Sequence, residues 1–294
     1  MSAPGAGCSA MRSTRNRIAG LSPFQKFYLA AFAAVVMGPF LPLLIQSFAF
    51  RWDWPDVLPA QWWWEMRGRT RMPQSWDYVF SPYSRLWEAT LNTLLIALTV
   101  TPLALLICLP AARVLARENF RGKAGFEFFL TLPLIVPDVA IGIGLLVIFI
   151  HLGLAGTYPG IVIAHLIPTI PYMIRMLTAV YQGLDRVFEE QAYLLGASRL
   201  QTLRMVTLPM LMPGVVAGCL FTFLISANIF LLTFFLGQGS IITLPTLLFA
   251  KISGGVVDAS AAGLTLLVSL PGIILLIVSE RFLKEEAFGK GFGN

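Results

Sequence analysis

The residues Glu189-Glu190-Gln191-Ala192-Tyr193-Leu194-Leu195-Gly196-Ala197-Ser198, running on to Thr207-Leu208-Pro209, are built unlike the long apolar segments on either side of them. Val187, Gln191, Leu194 and Leu195 fall on one helical stripe, with Glu189 and Glu190 beside it. Gly196 interrupts that pattern, as a residue free to take positive φ at a helix end does. Ser198-Arg199-Leu200-Gln201 reads as a capping box that starts a second short helix. Leu200, Leu203 and Thr207 continue one face of it, and Pro209 is expected to stop it by pushing Leu208 out of the α region. Two short amphipathic helices with a glycine elbow make a poor lipid-facing element. They make a good docking surface for a soluble partner.

What surrounds the stretch is membrane-like. The chain has 294 residues, 57% hydrophobic and only 12% charged, with a mean hydropathy of +0.76. A soluble domain needs about twice that charged fraction to cover its surface. An integral membrane protein is therefore expected, and the net charge of +6 is read through its placement beside the bilayer rather than as a nucleic-acid signal. Cys8, Cys108 and Cys219 are scattered, with no disulfide framework or metal-ligand spacing among them.

Six apolar stretches are long enough to span. They run over about 27–50, 90–112, 128–150, 160–181, 214–236 and 261–278. The second tolerates Pro102 and Pro110, the third opens on Leu132-Pro133 and Pro137-Asp138, and the fourth is expected to break at Pro168 and Pro171. Gly142 and Gly144 would let helices approach closely. A short interfacial or re-entrant helix is expected around Thr246 to Ile252. The segment 51–88 holds all seven tryptophans, with five basic and five acidic residues, and reads as an outer loop lying partly on the membrane surface.

Lys and Arg decide the orientation. Fourteen lie in the two tails and in the loops around Arg113–Lys123 and Arg186–Arg204, against six on the opposite side, with Arg175 near an inner boundary. Both termini are then cytoplasmic. The expected organisation is a tail at 1–26, a six-helix membrane domain at 27–280 and a second tail at 281–294. The outer loop is 51–88 and the cytoplasmic hairpin loop 184–209.

Asp138 is the acidic residue set well inside an apolar run, which marks either a pathway-lining group or a helix end within reach of headgroup water. Asn228 suits an interhelical hydrogen bond as well as a substrate contact. His151 and His165 have no carboxylate or cysteine at ligand spacing, so no metal site is expected. Arg175 is expected to snorkel. Motifs of zinc proteases, of serine-nucleophile elbows and of phosphate-cradling loops are missing, so the chain is not expected to be an enzyme.

The stretch quoted first resembles the EAA loop of permease subunits of ABC importers, in Glu190, Ala192, Gly196, Leu208 and Pro209, with Gln191 in place of the usual alanine. Three stretches are similar to the spermidine/putrescine-type subfamily: Pro137-Asp138-Val139-Ala140-Ile141-Gly142-Ile143, the EAA loop itself, and Thr233-Phe234-Phe235-Leu236 with Thr243-Leu244-Pro245. The resemblance implies an all-α integral membrane fold, six transmembrane helices with a coupling-helix hairpin, in a bacterial inner membrane. It implies ATPase coupling through Glu189, Glu190, Ala192, Gly196, Ala197, Ser198, Leu208 and Pro209, and a substrate pathway near Asp138, Asn228 and Thr233. The partners implied are a cytoplasmic ABC ATPase dimer that binds the ATP, a second permease subunit and an external solute-binding protein. The cargo would be a small solute, a polyamine- or opine-like amine or a related compound. Where polyamine permeases often carry acids after the serine matching Ser226, this chain has Ala227-Asn228-Ile229, which counts against a polycation. The competing reading is a secondary transporter or a non-catalytic membrane subunit of another complex.

Overall fold

The computed structural model describes residues 22–52, 55–71, 73–254 and 258–289, by backbone alone at 276 and beyond 277. Most of the two expected tails, Cys8, Gly255 and Lys290 lie outside the described residues or side chains. The chain divides into two units, 1–76 with 258–263, and 77–257 with 264–294.

In the first unit α1 (Pro23–Met37) starts on a capping box between Ser22 and Gln25, and α2 (Phe40–Phe48) follows at 40° to it. Pro39, which has no amide to donate, sits at the bend. The expected first span is thus a bent pair. A two-stranded antiparallel ribbon, β1 (Ala49–Arg51) and β2 (Gln61–Trp62), interrupts the helical pattern and leads into α3 (Trp63–Met66). Aromatic rings pack on one another here. Trp62 stacks on Trp64 at 4.8 Å, and Phe48 lies against Trp63 and Trp76 at 6.5 and 5.7 Å. The Ser75 hydroxyl donates to the Ser47 carbonyl at 2.5 Å, and the Ser75 amide to the Ser260 hydroxyl at 3.1 Å.

After α4 (Ser75–Val79), the second unit is built on α5 (Leu86–Arg117), which runs unbroken through Pro102 and Pro110. Its partners are α8 (Tyr158–Gly183) and the helix that ends as α11 (Leu208–Asn228). The three share a core of Ala104, Cys108, Ala112 and Leu115 from the first, Met173, Ile174, Leu177 and Tyr181 from the second, and Leu211 and Val215 from the third. In lipid no hydrophobic drive pulls helices together, so close packing of small residues has to do it. At Gly218 a β-carbon would stand 2.7 Å from Met173 Sδ, and at Gly214 one would stand 2.6 Å from Val180 Cγ2.

Three further expected spans come out differently. The third span is two helices, Lys123–Leu134 and α7 (Asp138–His151), at 95°. The first of these is α6 (Lys123–Thr131) with a tight turn over Leu132–Leu134. Pro137 has no amide to continue the ladder and is itself extended (ψ 134°), which breaks the run there. The fourth span is not broken. Pro168 and Pro171 are buried inside a continuous α8. The fifth stops at Asn228, because Ile229 is extended (ψ 117°), and a separate α12 (Leu231–Gly237) follows. Of the two glycines in α7, Gly142 meets a neighbour, the Phe235 ring at 2.7 Å from a would-be β-carbon, while Gly144 has nothing within 4 Å. The expected short helix is present as α13 (Leu244–Ile252), and its Leu244 amide donates to Thr93 of α5 at 2.8 Å.

The last helix, α14 (Ala259–Gly289), carries Pro271. Among the described residues three helices are long and apolar enough to cross a membrane: α5, α8 and the continuous run Arg199–Asn228. Counting each bent pair as one span makes five, and Ala259–Leu275 is a shorter apolar helix.

Candidate functional site

The hairpin is α9 (Val187–Leu194), an elbow and α10 (Arg199–Thr202). Asp185 starts it, its Oδ1 accepting from the Val187 amide at 3.1 Å. At the elbow Gly196 has φ +85°. The Gly196 amide donates to the Tyr193 carbonyl and the Ala197 amide to the Ala192 carbonyl, each at 3.0 Å. These two bonds satisfy carbonyls that a helix end leaves open. No heavy atom lies within 4 Å of where a Gly196 β-carbon would stand, so the elbow needs glycine for its backbone and not for room. The capping box is reciprocal: the Ser198 amide donates to Gln201 Oε1 at 2.8 Å, and the Gln201 amide to Ser198 Oγ at 3.3 Å.

Tight backbone bonding leaves apolar side chains outside. Leu194, Leu195 and Leu200 are 87%, 88% and 73% exposed around the elbow, with Glu190 exposed beside them. Ala192 is buried, and Ala197 is partly so. The two adjacent glutamates part company, because neighbours on a helix do not share a face. Glu189 turns inward, accepting from Arg113 Nη2 on α5 at 2.9 Å and from the Thr207 hydroxyl at 2.8 Å. Arg186 Nη2 donates to the Arg117 carbonyl in the last turn of α5. A cavity of about 490 Å³ opens here, lined among others by Arg113, Arg117, Arg186, Glu189, Tyr193 and Arg199. The sequence reading missed Arg113 and Arg186; the signal available was the pair Arg113 and Arg117, four apart at a span end.

Leu208 and Pro209 do not stop the second helix. Residues Leu203–Thr207 form a π-helical turn, the Leu208 amide reaches the Leu203 carbonyl, and the helix runs on to Asn228. The wider turn accommodates a proline at the point where an α ladder would lose a bond and meet a clash.

The pathway candidates sit in three different settings. Asp138 is exposed in the first turn of α7, where a helix N-terminus favours a carboxylate. Asn228 is exposed, and its amide donates to the Leu224 carbonyl of its own helix at 2.8 Å rather than to another helix. Thr233 is buried. Its hydroxyl meets His165 Nε2 at 2.9 Å, while His165 Nδ1 meets Ser226 Oγ at 3.0 Å. A histidine that the sequence left without a role thus joins α8, α11 and α12 across the break at Ile229. Phe230 packs on Phe234 and Phe249 at the same break, at 5.4 and 4.6 Å. Arg175 is exposed towards the end of α8.

The chain is 33% identical over 202 residues, 67% of its length and 72% of the relative's, to the putrescine transport system permease protein PotI of Escherichia coli (strain K12). It is 28% identical over 218 residues, 72% of its length and 83% of the relative's, to the spermidine/putrescine permease protein PotC of Haemophilus influenzae. It is 34% identical over 133 residues, 45% and 53% of the two lengths, to the molybdate/tungstate permease protein WtpB of Pyrococcus abyssi. A crystal structure of a bacterial ABC transporter involved in the import of the acidic polysaccharide alginate matches 91% of the chain and 97% of its own, with a TM-score of 0.70 at 20% identity, a likeness of fold. Residues 104–284 match the family described as the binding-protein-dependent transport system inner membrane component. The chain belongs to that family, and is a non-catalytic permease subunit of a binding-protein-dependent ABC importer.

Proposed function

We propose that the hairpin at 184–209 is the surface on which the importer's cytoplasmic ATPase dimer docks, with Glu190, Gly196 and Ser198 shaping it and Leu194, Leu195 and Leu200 making the contact. One observation carries this reading: three leucines, 73–88% exposed, crowd an elbow whose amides already donate within the hairpin. An apolar patch flanked by Glu190 and Arg199 is suited to a protein cleft and unsuited to lipid. ATP-driven closure of the ATPases would move the hairpins and, through them, the span bundles around a central pathway. A second permease subunit and an external binding protein complete the assembly.

In this reading the chain has six spans with both termini cytoplasmic, supported by the distribution of Lys and Arg. Asp138 and Asn228, both exposed, remain pathway-lining candidates. Thr233 acts there through His165 and Ser226, holding the break beside Asn228 in shape. The cargo is a small solute, a polyamine- or opine-like amine or a related compound, supported by the Pro137-Asp138 stretch and by the likeness to the putrescine permease.

The docking reading is tested with Leu194→Asp combined with Leu195→Asp. Membrane levels should match the parent while co-purification of the ATPase is lost. Retention of the ATPase at parental levels would remove the hairpin from the interface.

A further inference from the structure

We propose that Glu189 is a positioning residue that ties the docking hairpin to the inner ends of α5 and α11, so that the three move as one body when the ATPase closes. The proposal deepens the docking reading above and rests on it.

Each carboxylate oxygen of Glu189 serves a different element. Oε2 accepts from Arg113 Nη2, near the end of α5, at 2.9 Å. Oε1 accepts from the Thr207 hydroxyl, at the last residue of the π turn, at 2.8 Å. The Glu189 side chain is 13% exposed and that of Arg113 is 38% exposed, so the carboxylate has given up most of its water for these two partners. A second tie runs in parallel, from Arg186 Nη2 to the Arg117 carbonyl.

The place of Thr207 explains why such a tie matters. Along the chain, α10 reaches α11 only through the π turn Leu203–Thr207. A π turn departs from the regular i→i−4 ladder of the helix around it, and such turns are frequent at functional sites. A pull on the hairpin would be taken up there as a change of register. The Glu189–Thr207 bond bridges from α9 to the far end of that joint, and the Glu189–Arg113 bond carries the same pull to α5. Glu190, exposed one residue on, is left free for the partner.

The test uses the whole complex, purified with its own ATPase, with nitroxide labels at Asn119→Cys and Gln191→Cys after Cys8, Cys108 and Cys219 are replaced by serine. Pulsed dipolar spectroscopy compares the nucleotide-free and ATP–vanadate-trapped states, which requires no knowledge of the cargo. In the parent the label distance should stay the same in both states. In Glu189→Ala the ATPase should remain bound while the distance broadens and shifts on trapping. Thr207→Val, which keeps the ion pair, should shift less. The exchange Arg113→Glu with Glu189→Arg rebuilds the pair, and Thr207 can accept from the new guanidinium, so the parental distance should return. An unshifted distance in Glu189→Ala, or an exchange variant as broad as the single one, overturns the proposal. So does loss of the ATPase from Glu189→Ala but not from Glu190→Ala, which would make Glu189 a docking residue. Failure of the docking reading would show separately, as ATPase retained by the Leu194 and Leu195 variants.

Discussion

The hairpin and the bundle core use the same kinds of residue in opposite ways. In the core formed by α5, α8 and α11, small and aliphatic side chains are buried, and the polar His165 has a hydroxyl at each ring nitrogen. In the hairpin the elbow amides from Leu195 to Ser198 all donate within the hairpin, while the Leu194, Leu195 and Leu200 side chains are left outside. Helices such as α5 also expose leucines, among them Leu91, Leu95, Leu98 and Leu106 at 52–69%, yet these lie in a long uncharged run that lipid can cover. Leucines exposed within a few residues of Glu189, Glu190, Arg199 and Arg204 have no such cover. Exposure alone does not identify an interface; exposure inside a charged, tightly folded element is what supports the docking proposal.

The comparison breaks most visibly at Gly196. Gly196→Asp adds a β-carbon where φ is +85°, at about 1–2 kcal/mol of backbone strain, which the fold should survive because nothing crowds the position. The new charge stands among the exposed leucines, so transport should fall to background while thermal stability of the purified chain changes by only a few degrees. Parental transport would mean that the elbow is not part of the coupling path.

His165→Leu is the converse change, in the core. It strands the Ser226 hydroxyl, and leaves Thr233 only its longer bond to the Ile229 carbonyl at 3.3 Å. A stranded buried hydroxyl costs about 1–3 kcal/mol. The unfolding midpoint in detergent should drop clearly, while the amount of ATPase bound per folded molecule stays the same. A drop in ATPase binding with no loss of stability would place His165 in the coupling path and blur the contrast drawn here.

Ser198→Ala is the smallest of the three. Loss of an N-cap costs about 1 kcal/mol, so α10 should fray and ATPase retention should weaken by at most about fivefold. Complete loss of the ATPase would mean that Ser198 touches the partner directly instead of holding α10.

Much of the hairpin was legible in the sequence because its signals are local. A glycine needing positive φ, and a serine and glutamine three apart, act within one turn of the chain. What was not legible depends on register or on distant partners. Pro209 was expected to end a helix under a rule that assumes α-type bonding; the π turn before it changes the ladder the proline has to fit. Pro137 does break its helix and Pro168 and Pro171 do not, a difference set by packing around α8 rather than by the prolines. Glu189 and Glu190 are identical in type and adjacent. Only the fold, which brings Arg113 and Thr207 beside one of them, tells them apart.

The central claim is that the exposed leucines of the hairpin meet the ATPase and the exposed leucines of α5 do not. A photo-reactive amino acid placed at Leu195, and in a separate variant at Leu98, tests it in the intact complex within membranes. Irradiation should join the Leu195 variant to the ATPase polypeptide and leave the Leu98 variant free of it. An ATPase adduct from Leu98, or none from Leu195 in a complex that still contains the ATPase, would contradict the account.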